Sequence, residues 1–424
     1  MKESVKILKG HILFTKSLDT FTIIENGYIV VDGPHVAYVG ESLPIEYTDY
    51  PIKDYGNKLI IPGFVDTHVH GPQYCNRGLG MDMELLPWLE TYTFPEEDKF
   101  KEEGYAKKVY TAFIDDLKRN GTTRAVIYGT IHLTGTVELM KAVADAGISA
   151  YVGKVNMNQN APDYLREEDS QSIADTIESI KKSTDFAPYV RPIVTPRFAP
   201  SCTYKLMKEL SEIAKAHDLP VQSHLSENRG EIDWVKSLFP GSKDYTSVYV
   251  DHNLIGQQPT IMAHCIHLSD DEIEILAKTH TMVAHCPYSN NNLSSGIAPI
   301  RKLLDAGVPV ALGSDISGGH LTSMARVLTE AIGLSKMKWA EVDGERKPIT
   351  LSEAFYMATR GGGSFFGNVG SFEEGFEFDA LVIDDASIFD MNVRSPLERL
   401  ERWLYIGDDR QIVDRYCRGA LLCS

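Results

Sequence analysis

Along residues 5–60 apolar and polar positions alternate in short bursts, "VKILKGHILFT", "FTIIENGYIVVDG" and "HVAYVGES". Alternation with a period of two is the signature of strands with one buried face. The pairs Asn26-Gly27 and Asp32-Gly33 punctuate these bursts. Both carry hairpin chemistry, because Asn, Asp and Gly tolerate the left-handed backbone of tight turns. The stretch predicts a small antiparallel β unit.

From Pro62 the pattern changes. Eight short apolar segments recur, most followed by a stretch with helical spacing: "GFVDTHVH", "RAVIYGT", "SAYVGKVNM", "VRPIVTPRF", "PVQSHLSE", "TIMAHCIHLS", "MVAHCPYSN" and "VPVALGSDISGG". Residues 201–216, with Leu206, Leu210 and Ile213 on one face, exemplify the helices between them. Strands apolar on both faces that alternate with helices predict parallel βα units, and eight such units predict a TIM (β/α)8 barrel with its site at the carboxyl ends of the strands. The first βα connection, from His70 to about Asn120, is long, as functional loops at that face often are. Beyond residue 365, "FEFDALVIDD" and "RQIVDRYCRGALL" return to β character. The expected organisation is a barrel over 61–365 and a small β-sandwich built from 1–60 and 366–424.

Hydrophobic content of 43% and charged content of 24% are ordinary globular values. A net charge of −17, with no basic stripe, excludes nucleic acid and anionic membrane as partners and leaves a small molecule. Six dispersed cysteines without a CxxC pair form neither a disulfide framework nor a zinc finger. The opening residues lack the apolar region of a secretion signal, and no uncharged run has membrane-spanning length, so a soluble, cytoplasmic setting is expected.

The chemistry gathers at one predicted rim. His68 and His70 end the first strand and, at i and i+2, share a face; alone they read equally as half a metal site or as polar residues where a strand leaves the core. The fifth strand ends in His224 with Glu227 three residues on, the sixth in His264, the eighth in Asp315. Four of thirteen histidines thus fall at one end of one barrel together with both acids. Imidazoles from His68, His70 and His224 with an Asp315 oxygen suit Zn²⁺, although Fe²⁺ or Mn²⁺ also accept such a set. Glu227 is placed to carry protons between an activated water and a leaving group, and His264 to hydrogen-bond that water. His285 and His320 read as structural or as supports behind the site rather than as ligands.

This constellation resembles the amidohydrolase superfamily. Binuclear members use a carboxylated lysine at the end of strand four, where "IVTPRFAPSC" offers Arg197 and no lysine before Lys205, so the resemblance is to the mononuclear branch. "PGFVDTHVHGPQY", "LLPWLETYTFPEE", "SHLSENRGEIDWVKSLFP", "AHCPYSNNNLSSG" and "GSDISGG" are similar to its purine-deaminating members, from about Pro62 to Met337. The H-x-E and P-C-x-x-C signatures of the other zinc deaminase class have no counterpart. What the resemblance implies is one zinc held by His68, His70, His224 and Asp315; catalysis by Glu227, His264 and Asp315; and Gln73, Arg197 and Phe198 against the base. It also implies hydrolytic deamination of guanine to xanthine and ammonia by a homodimer. A sibling acting on an oxidised purine, pterin or triazine, and a non-catalytic barrel scaffold, are the alternatives.

Overall fold

Strands form where the alternating bursts lie: β1 (Val5–Thr15), β2 (Phe21–Asp32) and β3 (His35–Gly40), paired antiparallel in sequence. The computed structural model describes residues 5–423, so the extreme ends of the expected terminal segments, 1–4 and 424, lie outside the described residues. β4 (Ile52–Pro62) runs parallel to β1, so the unit is mixed rather than wholly antiparallel. The 41–51 connection, with its 3-10 turn at Ile45–Tyr47, carries the chain back for that parallel pairing. Asp32-Gly33 turns as expected, with Gly33 at φ 60°. Asn26-Gly27 does not turn. It lies inside β2, where the register slips between Gly10↔Gly27 and Ile12↔Ile24, and Asn26 has φ 52°. Its tolerance of left-handed backbone serves a β-bulge instead.

One residue, Gly63, separates β4 from β5 (Phe64–His70). There follow β6 (Thr122–Tyr128), β7 (Ser149–Gly153), β8 (Val155–Asn156), β9 (Val190–Pro192), β10 (Thr195–Pro196), β11 (Val221–Leu225), β12 (Thr260–His264), β13 (Met282–His285) and β14 (Val310–Leu312). Each of the eight apolar segments contributes to this series. The strands form two parallel four-stranded sheets, β5-β6-β7-β9 and β11-β12-β13-β14, while β8 and β10 pair with each other. A parallel bridge from Val194 to Val221 joins the sheets on one side. On the other side Asp315 N–H donates to His68 O at 2.9 Å and His70 N–H to Ile316 O at 3.1 Å. Helices Glu103–Arg119, Leu133–Ala146, Asp169–Ser183, Tyr204–Ala216, Asp270–Lys278 and Met324–Glu341 lie between strands.

These strands are buried on both faces, and successive side chains join different cores. Val65, Val126, Ile261, Ala263, Ala284 and Ala311 share one core cluster, whereas the intervening Met262, Val283 and Leu312 join the cluster that packs on helices. β15 (Ala380–Ile383), β16 (Ile412–Cys417) and β17 (Ala420–Leu421) return to the first sheet, whose order is β17-β16-β15-β4-β1-β2-β3. Both chain ends therefore share one sheet, with β15 antiparallel to β4. That sheet curls: Val36 of β3 and Tyr416 of β16, far apart in its order, lie in the same core cluster. Among the described residues, no helix is long and apolar enough to cross a membrane.

Candidate active site

At the carboxyl ends of β5, β11, β12 and β14 the expected side chains converge. Val65 faces the interior, so strict alternation would send Thr67 and Val69 inward. The β5–β6 register instead slips between Asp66↔Ala125 and Val69↔Ile127. This bulge reverses the parity, and His68 and His70 point into the site while Val69 joins an outer core cluster. At β12 the reversal comes from backbone conformation: His264 has φ 71°. Asp315, just past β14, has φ 48°. Left-handed non-glycine residues of this kind cluster at functional sites.

The donor atoms face one another. His70 Nε2 lies 3.1 Å from His224 Nε2. His68 Nε2 and His70 Nε2 lie 3.2 and 3.5 Å from Asp315 Oδ1. His224 Nδ1 donates to the Arg197 carbonyl at 2.6 Å, which leaves the Nε2 lone pair of the neutral ring aimed inward. His68 Nε2 is buried and faces Asp315 across that 3.2 Å gap. Burial holds His70 and His224 well below the usual histidine range, helped by charge on His68. Burial would raise the Asp315 carboxyl, yet the charge and hydrogen bond of His68 outweigh it and hold the carboxyl well below its usual range. His70 and His224 kept neutral beside an ionised Asp315 are in the protonation states that ligate a cation, and with His68 the four side chains fit a divalent metal. Cys286 also lies within ligand distance of His264 and Asp315. Burial pushes its thiol well above the usual range, and Sγ is directed at Ala284 O at 3.4 Å.

Glu227 lies beside this cluster, with Oε2 3.3 Å from His264 Nε2. Burial, reinforced by the charges of Asp315 and Glu231, pushes its carboxyl well above the usual range. A carboxyl so placed holds a proton more readily than an exposed one and can pass it on. Its backbone is fixed by Glu231, whose Oε2 accepts from Glu227 N–H at 2.9 Å and Asn228 N–H at 3.2 Å while Tyr245 Oη–H donates to Oε1 at 2.7 Å. Asn228 caps the helix Arg229–Leu238. Ser295 Oγ donates to Glu227 Oε1 at 3.2 Å, and His264 Nδ1–H to Asn290 Oδ1 at 2.9 Å.

A cavity opens over these groups, lined by Gln73, Arg197 and Phe198 and walled by Leu85, Trp88, Leu89 and Leu293. The three residues expected against a base are thus brought together. Phe198 stands edge-on to Trp234, centroids 6.1 Å apart. His285 and His320 are placed outside this lining. His285 is buried, its pKa pulled down to about 3 by burial, and His320 packs on the Tyr288 ring at 4.7 Å.

A family model described as the amidohydrolase family matches residues 59–422. The chain belongs to the amidohydrolase family. Among solved structures, a guanine deaminase from C. acetobutylicum with guanine bound in its active site is 51% identical, with a TM-score of 0.97, over 99% of this chain and 100% of that one. The guanine deaminase of Dictyostelium discoideum is 41% identical over 98% of this chain and 97% of its own length. That of Escherichia coli K12 is 33% identical over 99% and 98%.

In this amidohydrolase the roles of the supporting side chains are not legible in the sequence. Glu97, Glu231, Asn290 and Ser295 all lie in the quoted segments, yet what they touch is set by folding: Glu97 and its partner Arg197 are 100 residues apart. Only Glu231 carried a local signal, since Asn228-x-x-Glu231 before an apolar run is a capping box.

Proposed function

We propose that the protein is a guanine deaminase, converting guanine and water to xanthine and ammonia. The observation that carries this is a complete site, with four ligand-type side chains, a proton carrier and paired ring-edge donors, in a chain 51% identical along its length to a guanine deaminase with guanine bound. We read the two parallel sheets as one (β/α)8 barrel over about 61–365, and the curled sheet as a sandwich built from the remaining ends; the hydrogen bonds across both seams support the first, and the shared core of β3 and β16 the second.

His68, His70, His224 and Asp315 would hold one metal, which on donor chemistry is zinc. When bound, it supplies Lewis-acid activation of water at neutral pH. Glu227 takes the proton of the attacking water and delivers it to the ring nitrogen beside C2; a second transfer reaches the departing amine. His264 Nε2, held by Asn290 on its far side, orients the oxygen. Arg197 and Gln73 offer N–H donors to the carbonyl edge of guanine, and Phe198 walls the ring. Leu85, Trp88 and Leu89 exclude bulk water, which strengthens every polar contact inside.

Purified protein is expected to contain about one metal ion per chain and to release ammonia from guanine faster than from pterins, triazines or other aminated purines. A preference for another of those rings would overturn the substrate, and metal-free, inactive protein the enzymatic reading itself.

A further inference from the structure

Glu97 ends "LLPWLETYTFPEE", a segment of the long first βα connection, and is only 3% exposed. Its carboxylate is divided between the two donors that line the cavity. Oε1 accepts from Gln73 Nε2 at 2.9 Å, and Oε2 from Arg197 Nη1 at 2.5 Å. Phe94, on the same turn, lies under the guanidinium, 5.3 Å from Cζ to the ring centroid. Arg197 is thus held by its face and by one edge.

The hydrogen bonds form a chain with fixed direction. Ser317 N–H donates to Gln73 Oε1 at 3.0 Å. A backbone N–H can only donate, and so can a guanidinium. Gln73 therefore turns its oxygen to Ser317 and its amide NH₂ to position 97, which receives a donor on both sides. Only a carboxylate accepts at both atoms; a glutamine would turn its own NH₂ against one donor. With Gln73 and Arg197 so oriented, the N–H groups left over are what the cavity offers to a ring edge.

We propose that Glu97 is a positioning residue that sets substrate specificity: by fixing the donor faces of Gln73 and Arg197, it selects a ring with a carbonyl at that edge over one with an amine there. This rests on guanine as substrate, whose carbonyl accepts; 2,6-diaminopurine presents an amino group at the same place.

The test is steady-state kinetics of Glu97→Gln, Glu97→Asp, Arg197→Gln and the double variant E97Q/R197Q on both purines, with melting temperatures in parallel. Glu97→Gln is expected to raise KM for guanine about 10- to 100-fold with kcat changed less than about threefold, and to erode the preference for guanine by a similar factor. Glu97→Asp, still acceptor-only, keeps the preference although KM rises, and E97Q/R197Q costs less than the two single changes together. An unchanged KM and ranking, a loss of kcat alone, or additive single effects would overturn the proposal. Should Glu97→Gln not fold, the ranking retained or lost by Glu97→Asp decides. Wild-type protein inactive on guanine refutes the substrate instead; KM and ranking of the same variants on the heterocycle it does turn over then decide the role of Glu97.

Discussion

His264 and His224 illustrate how similar side chains in one cluster acquire different work. Both rings lie within ligand distance of His68, so distance alone would admit either to a metal. Their far nitrogens differ in partner: His224 donates to a backbone carbonyl, His264 to the Asn290 amide, and only His264 also approaches Glu227. His264→Ala is therefore expected to keep its metal while kcat falls by about 10²- to 10⁴-fold, whereas His224→Ala loses the metal. Metal content measured by elemental analysis beside kcat separates the two; loss of metal from the His264 variant would reassign it as a ligand. At this scale the sequence was informative about ends of strands and silent about orientation. The i, i+2 spacing correctly put His68 and His70 on one face, but which face depended on a bulge at Asp66–Val69 that no local residue announces. Glu97 and Ser295 were invisible because a buried acid and a loop serine acquire meaning only from distant partners.

Among elements, the first long helix and the last βα loop are stitched together by Asp116, on Glu103–Arg119. Its Oδ2 accepts from Arg77 Nη1 at 2.6 Å and from Thr322 Oγ at 3.0 Å, and Arg119 pairs with Oδ1. Burial would raise this carboxyl, but the bond from Arg119 and the charge of Arg77 win, and it is held below the usual range. A depressed folded pKa contributes stability that is present above the unfolded value and lost as pH falls through the folded one. Asp116→Asn is thus expected to destabilise by about 2 kcal/mol at neutral pH, a difference that shrinks below about pH 4. Urea midpoints at both pH values check it; an equal deficit at both would mean packing, not charge. Elements were the most legible level: every apolar segment between residues 62 and 319 contains a strand, because burial on both faces leaves an unbroken apolar run. The exceptions come from residues with two uses, as Asn26-Gly27, whose left-handed backbone made a bulge rather than a turn.

The molecule as a whole depends on one buried cation that links the parallel sheets to the strands from the chain ends. Arg124, on β6, is 0% exposed. Its Nε lies 2.5 Å from Asp379 Oδ2, and Nη2 lies 2.8 Å from Asp379 Oδ1 and 2.9 Å from Glu377. The two acids precede β15, and Arg418, in the turn between β16 and β17, also pairs with Glu377 and donates its backbone N–H to Asp379. Composition could place an arginine in "RAVIYGT" but not its partner some 250 residues on. The physics of such a pair is asymmetric. Two charges cost desolvation together and repay it by proximity, whereas one charge left alone is not repaid. Arg124→Met is accordingly expected to cost about 3–5 kcal/mol, because Asp379 remains buried beside Cys417 with only the Arg418 N–H to offset its charge. Adding Asp379→Leu to Arg124→Met should recover part of that loss, since an apolar pair of similar volume carries no stranded charge. Denaturant titrations of the two single variants and the double variant measure this. A double variant as unstable as the sum of the singles would mean that the acid serves Arg418 and the β16–β17 turn rather than Arg124, and that the connection between sheets rests on apolar packing around Leu381 and Ile412.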